Sequence, residues 1–197
     1  MVISIRYASI RSMDISNGEG VGIALFVQGC RLHCHNCFNP ETWDFNGGKE
    51  WTEEVKNKFL ELANRPYIKR ISILGGEPLA KENLDDVLDL VHEIRLSCPE
   101  KSIWLYTGYK TFGITKEFWE LEPNIVTEKV LEPNKLKIGI SNLKKRSDII
   151  CQCDVLVDGQ YIDSQRDITL PYRGSKNQRL IDIQQSLQKG EIVLWQV

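Results

Sequence analysis

The chain has 197 residues, of which 42% are hydrophobic and 26% charged, enough apolar side chain for one compact domain that spans residues 1–197. Its 25 Lys and Arg residues nearly balance its 27 Asp and Glu residues, giving a net charge of −2. This balance gives no support to a nucleic-acid-binding coat or a polybasic membrane anchor. The first residues lack the apolar run of a signal peptide, and no stretch is long enough to span a membrane. We expect a cytoplasmic protein without nucleic-acid or membrane partners.

The first half of the chain alternates predicted strands and helices. Apolar runs at 22–27 and 71–74 predict two buried strands. Between them, apolar residues at helical spacing predict a helix over 51–63, with Thr52 placed to cap it. Leu84 opens a second amphipathic pattern, which predicts another helix, and the run SIWLYTG that follows predicts a third strand.

The second half is less regular. Residues 117–121 predict a short helix, and the polar, proline-broken stretch around 122–150 is interpreted as an insertion. The run DVLVDG predicts a fourth strand, LIDIQQSLQKG is weakly helical, and EIVLWQV is a candidate last strand. Buried strands alternating with amphipathic helices predict an α/β fold with a mainly parallel sheet or a partial barrel.

Four of the predicted strands end in residues with special backbone or chemical properties. These ends read QGC, GGEP, YTG and VDG. In parallel α/β folds, sites assemble where the carboxyl ends of the strands meet. We therefore expect the four ends to surround one cleft, with a cluster of cysteines at the first of them.

Three cysteines, Cys30, Cys34 and Cys37, fall within eight residues and are interleaved with His33 and His35. A disulfide framework is disfavoured because cytoplasmic thiols stay reduced. A structural zinc site needs four ligands, and one histidine is able to supply the fourth, but the usual second Cys-x-x-Cys pair is missing. An iron–sulfur cluster held by three thiolates would leave one iron free to bind a substrate or a second cofactor.

The other cysteines carry weaker signals. Cys98 is interpreted as structural. Cys151 and Cys153 form the only other close pair, and two thiolates are too few for an auxiliary cluster.

The motif CRLHCHNC resembles the cluster motif of the radical S-adenosylmethionine (SAM) superfamily. With ISILGGEPL, IWLYTGY, DVLVDGQYI and LPYRGSKNQRLIDI in the same order, the chain resembles the activating enzymes of anaerobic (class III) ribonucleoside-triphosphate reductases. The resemblance runs from the first glycines to the last helix, apart from residues 122–150. It implies a partial (β/α) barrel of the radical SAM type.

The resemblance implies a cofactor role for the cysteine loop. Cys30, Cys34 and Cys37 would hold a 4Fe–4S cluster, and the amino and carboxylate groups of SAM would chelate the fourth iron. Asn36 and Phe38 would line the SAM site. The broad superfamily often has an aromatic residue just before the third cysteine, whereas here the aromatic residue follows it, as suits the small activating enzymes.

The resemblance also assigns the GGEP turn to SAM. Gly75 and Gly76 would let the backbone approach the methionyl group, and Glu77 would supply negative charge for its ammonium. A plain strand-to-helix turn explains the same residues equally well when they are taken alone. Asp158 is a candidate for ribose or for an ordinary Asp-Gly turn. The basic residues of 173–179 are a candidate for the cleft mouth or a docking face.

The function implied is formation of a glycyl radical on a partner enzyme. Reductive cleavage of SAM would give a 5′-deoxyadenosyl radical, which would abstract hydrogen from a glycine of the anaerobic ribonucleoside-triphosphate reductase. The electron would come from reduced flavodoxin or ferredoxin. The alternatives are a pyruvate formate-lyase activating enzyme, a pterin-modifying synthase, and a zinc or redox binding module without turnover.

Overall fold

The computed structural model describes residues 5–114, 119–121 and 133–196. Ten strands and four helices follow one another along these residues. The strands are β1 (Arg6–Asp14), β2 (Gly22–Val27), β3 (Lys49–Glu50), β4 (Arg70–Gly75), β5 (Ser102–Thr107), β6 (Thr111–Ile114), β7 (Trp119–Leu121), β8 (Val155–Asp158), β9 (Arg179–Asp182) and β10 (Val193–Leu194). The helices are α1 (Glu53–Ala63), α2 (Leu84–Ser97), α3 (Pro133–Cys151) and α4 (Ile183–Lys189).

Eight strands form one open sheet in the order β10-β9-β8-β5-β4-β2-β1-β3, and β6 pairs with β7. The four central strands, β2, β4, β5 and β8, are parallel, whereas every strand outside them runs antiparallel to its neighbour. The predicted α/β class is therefore confirmed, but the sheet is mixed rather than mainly parallel. The partial barrel of the radical SAM type stays a prediction.

The register of the central strands brings their carboxyl ends to one edge. Val27 lies opposite Gly75, and Thr107 lies opposite Asp158. All four strands were predicted from their aliphatic runs, and they are almost wholly buried. The chain segments that leave these ends build the site described below.

The first two helices form as their patterns predict. Thr52 caps α1 by accepting a hydrogen bond from the backbone N–H of Val55 at 3.3 Å. Phe59 is buried on the inner face of α1. The buried Lys56 ammonium lies 2.9 Å from the Glu93 carboxylate of α2. The buried residues of α2 repeat at helical spacing and are Leu84, Val87, Leu90, Val91 and Ile94.

One prediction fails in the middle of the chain, and one helix there was not predicted. The helix predicted over 117–121 is wrong at 119–121, which is strand β7 paired with β6, because cross-strand pairing overrides the local helical preference of so short a run. Most of the long helix α3 lies in the stretch interpreted as an insertion, and no apolar pattern in the sequence predicted this helix. Residues 115–118 and 122–132 lie outside the described residues. Among the described helices, none is long and apolar enough to cross a membrane.

Candidate cofactor site

A cavity of about 510 Å³ lies at the carboxyl edge of the parallel strands. Its walls include all four strand ends that the sequence singles out. They contribute Cys30, Cys34, Cys37, Gly75, Gly76, Glu77, Thr107, Gly108, Val157 and Gly159. The predicted convergence of the four ends on one cleft is thus confirmed. The volume falls within the usual range for a small-molecule cofactor site.

The QGC and GGEP turns are bonded to each other. The backbone N–H of Gly76 donates to the carbonyl of Val27, and that of Glu77 donates to the carbonyl of Gly29, both at 2.8 Å. A Cβ on Gly76 would lie only 2.6 Å from the Gly29 oxygen. Gly76 is therefore required by its contact with the residue before Cys30, a reason that differs from the ligand approach suggested by the sequence.

The cysteine loop is held by its own backbone. The backbone N–H of Cys30 donates to the carbonyl of Trp43 at 3.0 Å, and the backbone N–H of Cys37 donates to the carbonyl of Cys34 at 3.1 Å. His33 and Asn36 both adopt positive φ angles, 44° and 54°, which fold the loop tightly. The loop therefore presents its three thiols to one cavity.

His33 and the sulfur atoms have distinct surroundings. The His33 ring stacks on Trp43 with the centroids 4.6 Å apart, which agrees with a loop-shaping role. The N–H of Asn39 donates to the Cys37 sulfur at 3.4 Å. Burial, with the nearby Glu77 carboxylate, raises the pKa of Cys30 to about 12, and burial also raises the pKa of Cys34. Binding iron at these sulfurs would therefore release protons.

All six cysteines are free thiols. Within the described residues, no group of three or more His, Cys, Asp or Glu side chains is arranged to hold a single metal ion. This arrangement gives no support to the zinc alternative. A cluster binds each thiolate to a different iron, so it does not require the three sulfurs to converge on one point.

Phe38 and Asn36 occupy different places. Phe38 lies on the cavity wall, edge-on to Tyr161 with the centroids 5.0 Å apart. The Asn36 amide instead donates to Asp163 at 2.9 Å, and the Tyr161 hydroxyl donates to the same carboxylate at 2.8 Å. Sequence reasoning missed Tyr161 and Asp163, although the aromatic residue two positions after the fourth strand's glycine was available as a signal.

Glu77 joins two strand ends. Its carboxylate accepts hydrogen bonds from the N–H of Leu79 at 2.9 Å, the hydroxyl of Thr107 at 2.8 Å and the N–H of Gly108 at 2.8 Å. Burial raises the pKa of Glu77 to about 7 although these three donors act to lower it. Glu77 therefore fixes the GGEP turn against the end of β5.

Asp158 and the three basic residues of 173–179 lie in different surroundings. Asp158 is fully buried and does not line the cavity, because it accepts hydrogen bonds from Arg179 and from the N–H of Thr111. Arg173 does line the cavity. Lys176 lies at the surface, 3.7 Å from Asp167. Of the alternatives considered for Asp158, its bonds from Arg179 and Thr111 favour a structural role at the end of β8.

The remaining cysteines are structural in their surroundings. Cys98 is fully buried in the main apolar core. Cys153 is also fully buried, and its thiol donates to the carbonyl of Ile149 at 3.2 Å. Cys151 is the last residue of α3.

Residues 16–181 match the model of a protein family described as a 4Fe–4S single cluster domain. The chain is 35% identical over 175 residues to the anaerobic ribonucleoside-triphosphate reductase-activating protein of Salmonella typhi, covering 88% of this chain and 96% of that protein. The proteins of the same name from Escherichia coli K12 and phage T4 are 34% and 30% identical, covering 87% and 88% of this chain and 95% and 92% of theirs.

The chain belongs to this family of reductase-activating proteins. The range matched by the 4Fe–4S family includes the cysteine loop, the GGEP turn and every cavity-lining residue except Arg11. The cavity therefore lies within the part of the chain that matches the 4Fe–4S family, apart from Arg11.

Proposed function

We propose that this protein is a radical SAM enzyme that activates anaerobic ribonucleoside-triphosphate reductase by forming a glycyl radical on it. Its relatives are named for activating that reductase, and the matched family is described by its 4Fe–4S cluster. The observation that carries the proposal is the joining of the three-cysteine loop to the GGEP turn across one cavity.

The residues present fit both cofactors. Cys30, Cys34 and Cys37 would each hold one iron, leaving the fourth iron of a 4Fe–4S cluster open toward the cavity. The backbone of Gly75 and Gly76, which lines the same cavity, would receive the methionyl end of SAM. When bound, the pair supplies a single-electron cleavage of SAM, whose 5′-deoxyadenosyl radical takes one hydrogen atom from the partner glycine.

The chain's own side chains bind and shield rather than transfer protons. Phe38 would cover SAM from the loop side, while Phe26, Leu74 and Val157 give the cavity an apolar lining that keeps water from a reactive radical. Glu77 holds the two turns in place and is itself occupied by three donors. No acid–base pair is needed, because the step moves a hydrogen atom.

The electron would come from outside the chain, from a reduced flavodoxin or ferredoxin in a cytoplasmic setting where the thiols stay reduced. With one electron for each SAM, the products would be methionine, 5′-deoxyadenosine and the glycyl radical of the reductase.

The test is electron paramagnetic resonance of the anaerobically reconstituted protein mixed with SAM, reductant and its reductase. We expect a doublet from a glycyl radical on the reductase, and about four irons and four sulfides per chain before mixing. Cys34→Ala should lose both the iron and the doublet, whereas Cys98→Ala should keep them. Full iron content in Cys34→Ala, or turnover of a small molecule with no doublet, would contradict the proposal.

A further inference from the structure

Two buried hydrogen-bond donors on the cavity wall have no partner among the residues that the structure describes. In the part of the chain that the structure describes, six buried side-chain nitrogen or oxygen atoms have no hydrogen-bond partner. Two of the six, the Tyr106 hydroxyl and the Arg173 Nε, belong to residues that line this cavity. A buried donor without a partner costs about 1–3 kcal/mol, so such groups usually await a ligand or water.

Other polar side chains on the cavity wall are already engaged. Arg11 lies 3.7 Å from Asp14 and covers the Phe26 ring, and Asn17 donates to Asp14 at 2.8 Å. Gln178 accepts from the N–H of Gly174 at 2.9 Å. The free donors are thus a local feature of Tyr106 and Arg173 rather than a general property of the wall.

Tyr106 lies deeper than the cofactor turns. Its ring packs against Phe26 and Leu74, the residues just inside the ends of β2 and β4. Its hydroxyl interacts electrostatically with Arg70 and Asp14, which lie at the opposite ends of their strands from the cysteine loop. Tyr106 therefore lines the cavity from β5, beside the Phe26 and Leu74 side chains.

Arg173 lines the same cavity from the segment that precedes β9. Its neighbour Tyr172 packs edge-on to Trp104 of β5 at 5.2 Å, and its other neighbour, Gly174, lies against Phe38. The segment thus connects the β5 side of the cavity with the cysteine loop.

We propose that the Tyr106 hydroxyl and the Arg173 Nε donate hydrogen bonds to backbone carbonyl oxygens of the glycine-bearing segment of the reductase. This inference rests on the proposed function. Glycine offers no side chain to recognise, and a backbone carbonyl taken into an apolar cavity needs a donor. The neutral Tyr106 hydroxyl and the cationic Arg173 guanidinium would meet that need and hold the glycine-bearing segment in this cavity.

The experiment titrates the loaded protein with its purified reductase and follows the glycyl radical signal. Tyr106→Phe removes only the hydroxyl, and we expect the KM for the reductase to rise about tenfold, with the rate at saturation little changed. Arg173→Gln should raise the KM for the reductase by a similar factor at high and at low salt. Salt screens long-range electrostatic attraction between the two proteins, but it does not screen the loss of a hydrogen bond. Tyr67→Phe, a surface change outside the cavity, is the matched control.

Two further readouts separate this role from others. The melting temperature of Tyr106→Phe should stay the same or rise, because the hydroxyl has no partner among the described residues. SAM affinity and uncoupled SAM cleavage should not change. A weakened SAM affinity would assign the hydroxyl to the cofactor and overturn the inference, as would a lower melting temperature with unchanged KM.

The failure of this inference is distinct from that of the proposed function. An unchanged reductase titration with Tyr106→Phe, alongside a normal radical signal from the wild-type protein, would overturn the inference alone. No radical signal from the wild-type protein would overturn the proposed function and this inference with it.

Discussion

The two faces of the central sheet differ in what their residues require. Side chains that alternate along β2, β4, β5 and β8 point to opposite faces. The face packed on the helices is aliphatic and includes Ile23, Leu25, Ile71, Ile73, Ile103, Leu105 and Leu156. The cavity face carries Ala24, Phe26, Arg70, Ser72, Leu74, Trp104, Tyr106, Val155 and Val157. The same strands therefore provide stability on one face and specific polar contacts on the other.

Neighbouring residues on β4 illustrate the difference. Ile71 packs in the main core, where another aliphatic residue of similar size would serve. Arg70, fully buried, donates to the carbonyls of Asn17 at 2.6 Å and Glu19 at 3.2 Å and to the Asp14 carboxylate at 3.0 Å. These bonds hold the 14–19 segment over the floor of the cavity.

The largest effect is expected from breaking that cavity-face ion pair. Arg70→Ala would leave the buried Asp14 carboxylate without its buried cation, with only the half-exposed Arg11 at 3.7 Å, and we expect a loss of about 3–5 kcal/mol in the free energy of unfolding. Ile71→Val, one residue away on the helix face, should cost only about 0.5–1.5 kcal/mol. Anaerobic urea unfolding of both variants measures the difference, and equal losses would show that the two faces are alike.

The pH dependence of the same pair gives a sharper test. Burial acts to raise the pKa of Asp14, but hydrogen bonds from Asn17 and Arg70 outweigh it, so the folded-state pKa lies below the ordinary value. The stabilisation is then present above the unfolded-state pKa of about 3.9 and is lost as the pH falls through the folded-state pKa. The stability difference between wild type and Asp14→Asn, measured by urea unfolding, should therefore shrink below about pH 5. A constant difference down to pH 3 would contradict this.

The sequence predicted the helix face better than the cavity face. Aliphatic runs identify buried strands, and the helical pattern from Leu84 identifies α2, because both signals come from burial in one core. Strand β1 was missed because its residues are mostly half-exposed and include several charges. Helix α3 was missed because its sequence is largely polar.

Site residues that belong to short sequence motifs were predicted. Site residues whose roles depend on tertiary contacts were missed. Cys30 and Gly76 stand in motifs that a single sequence reveals. Tyr106 was noted only as part of the YTG strand end, and Arg70 lay just outside the strand predicted over 71–74. The contacts of both residues depend on partners far along the chain. The available signal was the alternation of Arg70 with Ser72 and of Trp104 with Tyr106, which marks a second face that is not purely aliphatic.

The smallest effects on stability are expected for the basic residues of 173–179. These residues differ in whether they contact the helix side of the sheet, the cavity or solvent. Arg179 pairs with the fully buried Asp158, which lies on the helix side of β8 because Val157 takes the cavity side. Arg179→Ala should therefore cost about 1–3 kcal/mol of unfolding free energy by leaving Asp158 short of donors.

Lys176 is the matched control within the same segment. Its ammonium is largely exposed, and an exposed pair such as that with Asp167 contributes little to stability. Lys176→Ala should change the unfolding free energy by less than about 0.5 kcal/mol. Urea unfolding and the reductase titration are run on both variants. Arg179→Ala should lower the free energy of unfolding, and the folded Arg179→Ala protein should keep the wild-type KM for the reductase. A higher KM in a fully folded Arg179→Ala protein would place this arginine with Arg173 on the cavity side, and the division between the faces would not hold at the end of β8.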